Sequence, residues 1–406
     1  MNSIMIFGIV LICCVMLWAR ISFDLSNPLF FLWSTWIISF VICVGNIFQA
    51  YSKLSLKTIM FIFICLLMVT IGFHLGKRVK ITCKLKKYNT KVLVNSFNIL
   101  TILVIGAFLA TIYIKGLPPV LSSENIQRSD YYLNNGGELV YLLMYPANYL
   151  GIYLLKIVNK RKIVPQLLIL WIIAILRGNK MTIFAIILIW LFLYGKKVYL
   201  EKILLLLGII IVIFYVASYI YTKNISNLSV FKIERMNVVG FSLATSFYFL
   251  FDLMVYLSTN IFNLNGLIMM NLGGIGLGTQ SFKGVSQVFS AFVPKISEYS
   301  NNISNVMSQT LQVSSFNTYS ALGLLYVDFG ILLSIVIMFI IGAISGTLFS
   351  YHREFNSNIG VNFIGFCFYQ TLALSFFSFY IGNLEVISNI IVMLVINYLA
   401  VEKKID

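Results

Sequence analysis

Long apolar runs, separated by short polar segments, repeat along the whole chain. A helix that crosses a membrane needs about 20 predominantly apolar residues, and most of these runs approach that length. The pattern predicts eleven spans, near residues 4–19, 29–49, 58–76, 92–113, 138–156, 164–176, 181–194, 203–222, 329–350, 359–380 and 385–401. We therefore expect an all-α, polytopic membrane protein in which residues 1–406 form one transmembrane helical domain.

The basic residues predict which side of the membrane each loop faces. The loop from Lys77 to Lys91 holds seven of them, and loops rich in lysine and arginine stay on the cytoplasmic side. With this loop inside, two long segments, about 116–137 and 223–318, lie outside. The second contains an apolar stretch from Gly240 to Phe262, which is either external or a further span. Asp252 within it favours the external position.

The composition agrees with a membrane protein and narrows its chemistry. The chain is 60% hydrophobic and 10% charged. Its net charge of +16 lies mainly in the predicted cytoplasmic loops, which indicates a topology signal and contact with anionic lipids rather than nucleic-acid binding. Six cysteines and two histidines show neither a zinc spacing nor a disulfide framework. We expect no metal and no other cofactor.

The sequence Arg177-Gly178-Asn179-Lys180 interrupts the apolar run from Val164 to Tyr194. Basic clusters flank both ends of that run, so it should form a two-helix hairpin with this turn at its outer tip. Each arm has only about 13 or 14 apolar residues, which is shorter than a full span. The tip is therefore expected to be recessed and to face a polar cavity. Charges at such a depth are costly and mark functional sites.

Three of the seven arginines, Arg128, Arg177 and Arg235, fall on the predicted outer side. The arginine fork matches phosphate oxygens with two parallel N–H groups. Together with Lys180, these residues would suit a pyrophosphate. The alternative is that they pair with nearby carboxylates, or are simply solvated.

Asp328 lies at the outer start of a long apolar run, in the motif Tyr326-Val-Asp328-Phe-Gly330. It could act as a general base toward a sugar hydroxyl, or as a structural charge at a helix start or beside an arginine. The glycine-rich segment from Gly273 to Lys283 is either a tightly packed turn or a backbone cradle for phosphate. It does not match a phosphate-binding loop motif.

This arrangement resembles the O-antigen polymerase family, the Wzy-type polymerases of oligosaccharide repeat units. The resemblance rests on the turn Leu176–Lys180 and on Asn317-Thr318-Tyr319 through Gly330, followed by Gly342 to Gly346. It implies a glycosyltransferase of the bacterial cytoplasmic (inner) membrane. Undecaprenyl-pyrophosphate-linked repeat units would be polymerised into O-antigen (lipopolysaccharide) or capsular polysaccharide on the outer side, with lipid pyrophosphate as the leaving group.

We expect Arg177 and Asp328 to be catalytic in this reaction. The residues expected to bind pyrophosphate or glycan are Lys180, Arg128, Arg235, Asn179, Tyr319 and Tyr326. The expected partners are the lipid-linked oligosaccharide, membrane lipids and, as a candidate, a chain-length regulator protein. Two alternatives stay open. One is a flippase or other transporter, although no two similar halves are visible. The other is an O-antigen ligase, whose family uses an external histidine that this chain lacks.

Overall fold

A computed structural model describes residues 23–45, 51–79, 87–118, 121, 137–158, 160–177, 180–195, 197–198, 208, 248–312, 318–354 and 358–402. Of the spans predicted from the sequence, 4–19 lies outside these residues, and 203–222 lies outside them except for residue 208. Most of the predicted external segment 116–137 and the start of the segment 223–318 also lie outside them.

The described part of the chain consists mainly of helices. Two antiparallel strands of two residues each also occur, and Phe23 of one pairs with Val198 of the other. The elements are β1 (Phe23–Asp24), α1 (Pro28–Val44), α2 (Leu56–Gly76), α3 (Thr90–Lys115), α4 (Gly137–Leu142), α5 (Met144–Leu154), α6 (Lys160–Leu176), α7 (Lys180–Tyr194), β2 (Lys197–Val198), α8 (Tyr248–Met269), α9 (Lys283–Ser290), α10 (Pro294–Ser308), α11 (Ala321–Glu354), α12 (Ile359–Ala373), a 3₁₀ turn (Tyr380–Gly382) and α13 (Leu384–Ala400).

Within these described ranges, three helices are long and apolar enough to cross a membrane: Leu56–Gly76, Thr90–Lys115 and Ala321–His352. Shorter apolar helices accompany them at Pro28–Val44, Thr182–Tyr194, Ile359–Ala373 and Leu384–Ala400. The backbone N–H and C=O groups of a helix are satisfied within the helix, which is the condition for entering lipid. The prediction of an all-α, membrane-embedded protein is confirmed at this level.

Several helices begin where a polar residue precedes an apolar run. The side-chain oxygen of that residue accepts a backbone N–H from the first turn, which would otherwise lack a partner. The pairs are Asn27 with Leu29 (3.0 Å), Ser55 with Thr58 (3.2 Å), Asn89 with Lys91 (3.0 Å) and Asn358 with Val361 (3.1 Å). These caps explain why the helix starts follow the sequence pattern closely.

Helices α2 and α11 are in backbone contact through two pairs of glycines. A Cβ atom added at Gly72 or Gly76 would lie 2.2 or 1.9 Å from a carbonyl oxygen of α11. One added at Gly342 or Gly346 would lie 2.2 or 2.0 Å from a carbonyl oxygen of α2. Small residues four apart allow this approach, and close van der Waals packing is what joins helices in lipid. The segment from Gly342 to Gly346 therefore serves helix packing.

The buried apolar residues form two main clusters. One joins α1, α2, α8, α10 and α11 and includes Leu372 of α12. The other joins α3, α4, α5, α6, α7, α12 and α13. Phe376 and Ile381, in the connection between α12 and α13, pack against both clusters. The candidate functional groups described below lie on either side of this connection.

Helix α8 contains much of the apolar stretch that the sequence analysis placed outside the membrane. It packs against α1 and α11, and its residues Ile261 and Leu264 are fully buried. The same helix buries Asn263, whose amide donates to the Thr318 carbonyl at 2.7 Å. The stretch therefore packs onto the helical bundle, where its apolar side chains are removed from water; its placement outside the membrane or as a further span stays a prediction.

The loops predicted to be cytoplasmic meet at one end of the bundle, which we call the basic end. There Lys156 donates to the Leu193 carbonyl (2.9 Å), and the Asn89 N–H donates to the Ala400 carbonyl (2.8 Å). The strands β1 and β2 pair at this end as well. We call the opposite end the tip end; there the Ala321 N–H donates to the Ser375 carbonyl (2.8 Å).

Candidate functional site

Arg177 is the first residue after α6, at the tip end of the hairpin formed by α6 and α7. Its side chain is only 6% exposed, and its guanidinium carbon lies 3.3 Å from the ring centroid of Tyr141 in α4. This distance is that of a cation–π contact, worth about 0.5–2 kcal/mol. The Tyr141 hydroxyl is in turn hydrogen-bonded to the Thr111 hydroxyl at 2.7 Å. The guanidinium is thus buried against α4 rather than solvated.

Of the other residues predicted to bind pyrophosphate, Lys180 is the first residue of α7. Asn179, Arg128 and Arg235 lie outside the described residues.

A narrow cleft opens beside the hairpin, between α5, α12 and α13. Its cavity volume is about 10 Å³, room for about one water molecule. Tyr145 connects it to the hairpin, because its side chain hydrogen-bonds Thr182 in the first turn of α7. Tyr145 also follows Tyr141, the partner of Arg177, by four residues. The lining residues are Tyr145, Phe363, Phe366, Cys367, Gln370, Tyr380, Glu385, Val386 and Asn389.

The polar groups that line this cleft are of the kinds that hydrogen-bond sugar hydroxyls. Glu385 lies in the first turn of α13, where the helix dipole favours a negative charge. Asn389, one turn later, is 3% exposed, and its side-chain oxygen has no hydrogen-bond partner among the described residues. The Tyr380 hydroxyl, in the same lining, is a hydrogen-bond donor at neutral pH.

Asp328 belongs to a different cluster, in which its carboxylate is held by the glycine-rich segment. The Ser281 N–H donates to it at 2.5 Å and the Gln280 N–H at 3.2 Å. The residue is 2% exposed. A Cβ on Gly276 would lie 2.0 Å from a carboxylate oxygen, so only glycine allows this approach. A carboxylate of the protein itself thus occupies the backbone donors that could otherwise cradle a phosphate.

The helix that carries Asp328 is broken two residues later. Gly330 has φ 69° and ψ −170°, so the carbonyls of Tyr326 and Val327 lose their usual partners in the next turn. They accept instead from the glycine-rich segment, at 3.1 Å from the Gly274 N–H and 2.9 Å from the Gly276 N–H. The motif from Tyr326 to Gly330 and the glycine-rich segment therefore form one interlocked unit. Of the two roles considered for Asp328, a general base and a structural charge, these contacts favour the structural charge.

Of the two tyrosines predicted to contact substrate, Tyr326 belongs to this unit, and Tyr319 lies just before α11. The Tyr319 hydroxyl donates to the Met307 carbonyl at 2.7 Å. Tyr326 is 2% exposed and lies beneath Gly273, where a Cβ would be 2.8 Å from its ring. Neither tyrosine lines the cleft near Arg177. The unit is nevertheless adjacent to the cleft, because a Cβ on Gly382 would lie 1.8 Å from the Ser281 carbonyl.

Sequence reasoning did not single out Glu385, Gln370 or Asn389. Polar side chains within apolar helices are costly and tend to mark functional sites. That signal was present for Gln370 and Asn389. Asn389 follows Glu385 by four residues on α13, so their shared helix face could also be read from the sequence. Gln370 lies on α12, and only the packing of the two helices shows that it lines the same cleft.

Comparisons with protein-family models, with curated proteins and with solved structures give no match for this chain.

Proposed function

We propose that this protein polymerises lipid-pyrophosphate-linked oligosaccharide repeat units on the outer side of the bacterial cytoplasmic membrane. The observation that carries the proposal is the buried guanidinium of Arg177 beside a cleft of hydroxyl, amide and carboxylate groups. A pyrophosphate leaving group needs a fixed cation, and a sugar acceptor needs hydrogen-bonding groups. Both are provided at the tip end of the bundle, within helices apolar enough to accommodate an isoprenoid chain.

The proposed topology keeps the eleven spans predicted from the sequence, with the basic end in the cytoplasm. The tip end then faces the periplasm or the exterior, where Arg128, Arg235, Lys180 and Asn179 are the further candidates for contact with pyrophosphate. The clustering of the predicted cytoplasmic loops at the basic end supports this orientation, since positively charged loops are retained inside. The partners are the undecaprenyl-pyrophosphate oligosaccharide, membrane lipids and a chain-length regulator protein.

In the proposed reaction, the hydroxyl of an acceptor repeat unit attacks the anomeric carbon of the donor glycan. The bond from that carbon to the pyrophosphate oxygen breaks, and the pyrophosphate leaves with the electron pair. Arg177 stabilises the charge that develops on it. Glu385 takes the proton of the attacking hydroxyl, because it lines the cleft, whereas Asp328 is engaged by backbone N–H groups.

The test uses purified protein and lipid-linked repeat units in detergent, with products separated by size. Wild-type protein should yield a ladder of longer chains. Arg177→Ala should reduce the rate about 100-fold or more, the scale of losing one charge-stabilising donor. Arg177→Lys should restore it only in part, since an ammonium cannot bind two phosphate oxygens through a planar fork.

The matched control is Arg161→Ala, at the opposite end of α6 from Arg177, where the side chain is exposed. It should leave the ladder unchanged. Full activity of Arg177→Ala would rule out the proposed role. If no ladder forms while the units cross a vesicle membrane, the protein is a transporter rather than a polymerase.

A further inference from the structure

Helix α9 turns its apolar residues away from the protein. Val285, Val288 and Phe289 are 39%, 48% and 56% exposed, and Phe292 just beyond the helix is 80% exposed. Their spacing of three, four and seven residues places them on one helical face. The buried residue of the helix is Gly284. Helix α9 therefore exposes apolar residues and buries only its glycine, the reverse of what is expected for a helix on the surface of a water-soluble protein.

The inward contact of α9 is close. A Cβ on Gly284 would lie 2.1 Å from the backbone nitrogen of Leu384, so the backbone of α9 lies directly against the start of α13. No larger side chain fits between the two segments. The apolar face is therefore held outward by a specific packing contact.

Helix α10, the next along the chain, has the opposite polarity. It buries Ile303 and Met307 and exposes polar residues, including Glu298 and Asn301. Two consecutive helices thus present an apolar and a polar surface, respectively. This change of polarity between neighbouring helices is what a boundary between lipid and water requires.

The surface next to α9 is also apolar. Phe282, which precedes α9, contacts Phe329 of α11, with ring centroids 6.4 Å apart. Three residues further along α11, Leu332 is 79% exposed, in one of the helices apolar enough to cross a membrane. The exposed face of α9 therefore lies next to an exposed apolar surface of α11. Two exposed lysines, Lys283 and Lys295, flank this face and are complementary to anionic headgroups.

We propose that α9 and the turn through Phe292 are embedded in the interfacial region of the lipid bilayer, with α10 in water. Lys283 and Lys295 face the lipid phosphates. The protein would then sit in the membrane at a depth that places α9 at the bilayer surface. This inference depends on the membrane location of the protein and not on the reaction proposed above.

The test places a nitroxide label at single cysteines in the full-length chain, with the native cysteines replaced. The sites are Val288→Cys and Phe292→Cys on the apolar face, with Asn301→Cys on α10 as the matched control. The protein is reconstituted in vesicles of phosphatidylcholine and phosphatidylglycerol. Collisions of each label with oxygen, which enters lipid, are compared with collisions with a water-soluble nickel chelate.

Labels at 288 and 292 should favour oxygen over nickel several-fold relative to the label at 301. Equal nickel access at 292 and 301 would overturn the proposal, as would exclusion of both reagents, which indicates a protein partner. Vesicles without phosphatidylglycerol should bring the labels closer to water; no change would refute the role of the two lysines. Phe292→Trp, in a chain that keeps its cysteines, provides a second test. Brominated lipids should quench its added fluorescence more than that of Asn301→Trp.

Discussion

The interlocked unit around Asp328 gives a prediction that separates its structural and chemical roles. In Asp328→Asn, one carboxylate oxygen becomes an NH₂ group facing the backbone N–H groups of Gln280 and Ser281. Hydrogen bonds to a charged group contribute about 1.5–3 kcal/mol, against about 0.5–1.5 kcal/mol for neutral ones. Weakening the two contacts should therefore lower the free energy of unfolding by about 2–3 kcal/mol. With an unfolding entropy of about 2.1 cal/mol/K per residue, a chain of 406 residues should then show a Tm lower by about 2–4 °C.

Gly276→Ala should have the same effect while leaving Asp328 chemically unchanged. The new methyl group would lie 2.0 Å from the Asp328 carboxylate oxygen, whereas ordinary contacts begin at 3.4 Å. The carboxylate must then move by more than one ångström and lose the backbone donors. The matched control is Gly106→Ala in α3, where a Cβ meets nothing within 4 Å. That change should be neutral, or stabilising by about 0.5–1 kcal/mol, because alanine favours the helix.

Unfolding can be followed by a thiol-reactive dye. Three cysteines among the described residues are free and buried, so they react as the protein opens: Cys43, Cys65 and Cys367. Asp328→Asn and Gly276→Ala should both lower the Tm relative to Gly106→Ala and reduce polymer formation in parallel. An Asp328→Asn protein with an unchanged Tm but no polymer would refute the structural reasoning and restore Asp328 as a general base.

Three further outcomes are expected. Glu385→Gln should abolish chain extension with little change in Tm, since the amide keeps the shape but cannot take a proton; an active variant would remove Glu385 from the mechanism. Gly342→Val should prevent the close contact of α2 and α11 and lower the yield of folded protein in membranes, while Gly106→Val should not, as a comparison of size-exclusion profiles can check. A cysteine replacing Asn179 should react with an impermeant thiol reagent from outside the cell and one replacing Val198 should not; the reverse result would invert the topology.

The hydrophobic pattern of the sequence determined the class of fold and the position of most helices. The predicted spans 58–76, 92–113 and 385–401 differ by at most two residues from α2, α3 and α13. The reason is physical: an apolar run bounded by capping residues buries its side chains and satisfies its own backbone. The hairpin that presents Arg177 followed from the same pattern together with the flanking charges, because both signals are local in the sequence.

Only the tertiary structure decided what each functional candidate contacts. Asp328 is held by a backbone N–H 47 residues away in the chain, and the cleft brings Tyr145 together with Glu385. The apolar stretch around Asp252 packs as α8 because α1 and α11 provide a partner surface for it. These contacts join residues that are far apart in the chain, and they depend on which helix faces pack together. The hydrophobic periodicity of a single segment does not show which other segment it will pack against. The sequence therefore determined where the helices lie and that Arg177 interrupts an apolar run, and packing decided that Glu385 rather than Asp328 lines the cleft near Arg177.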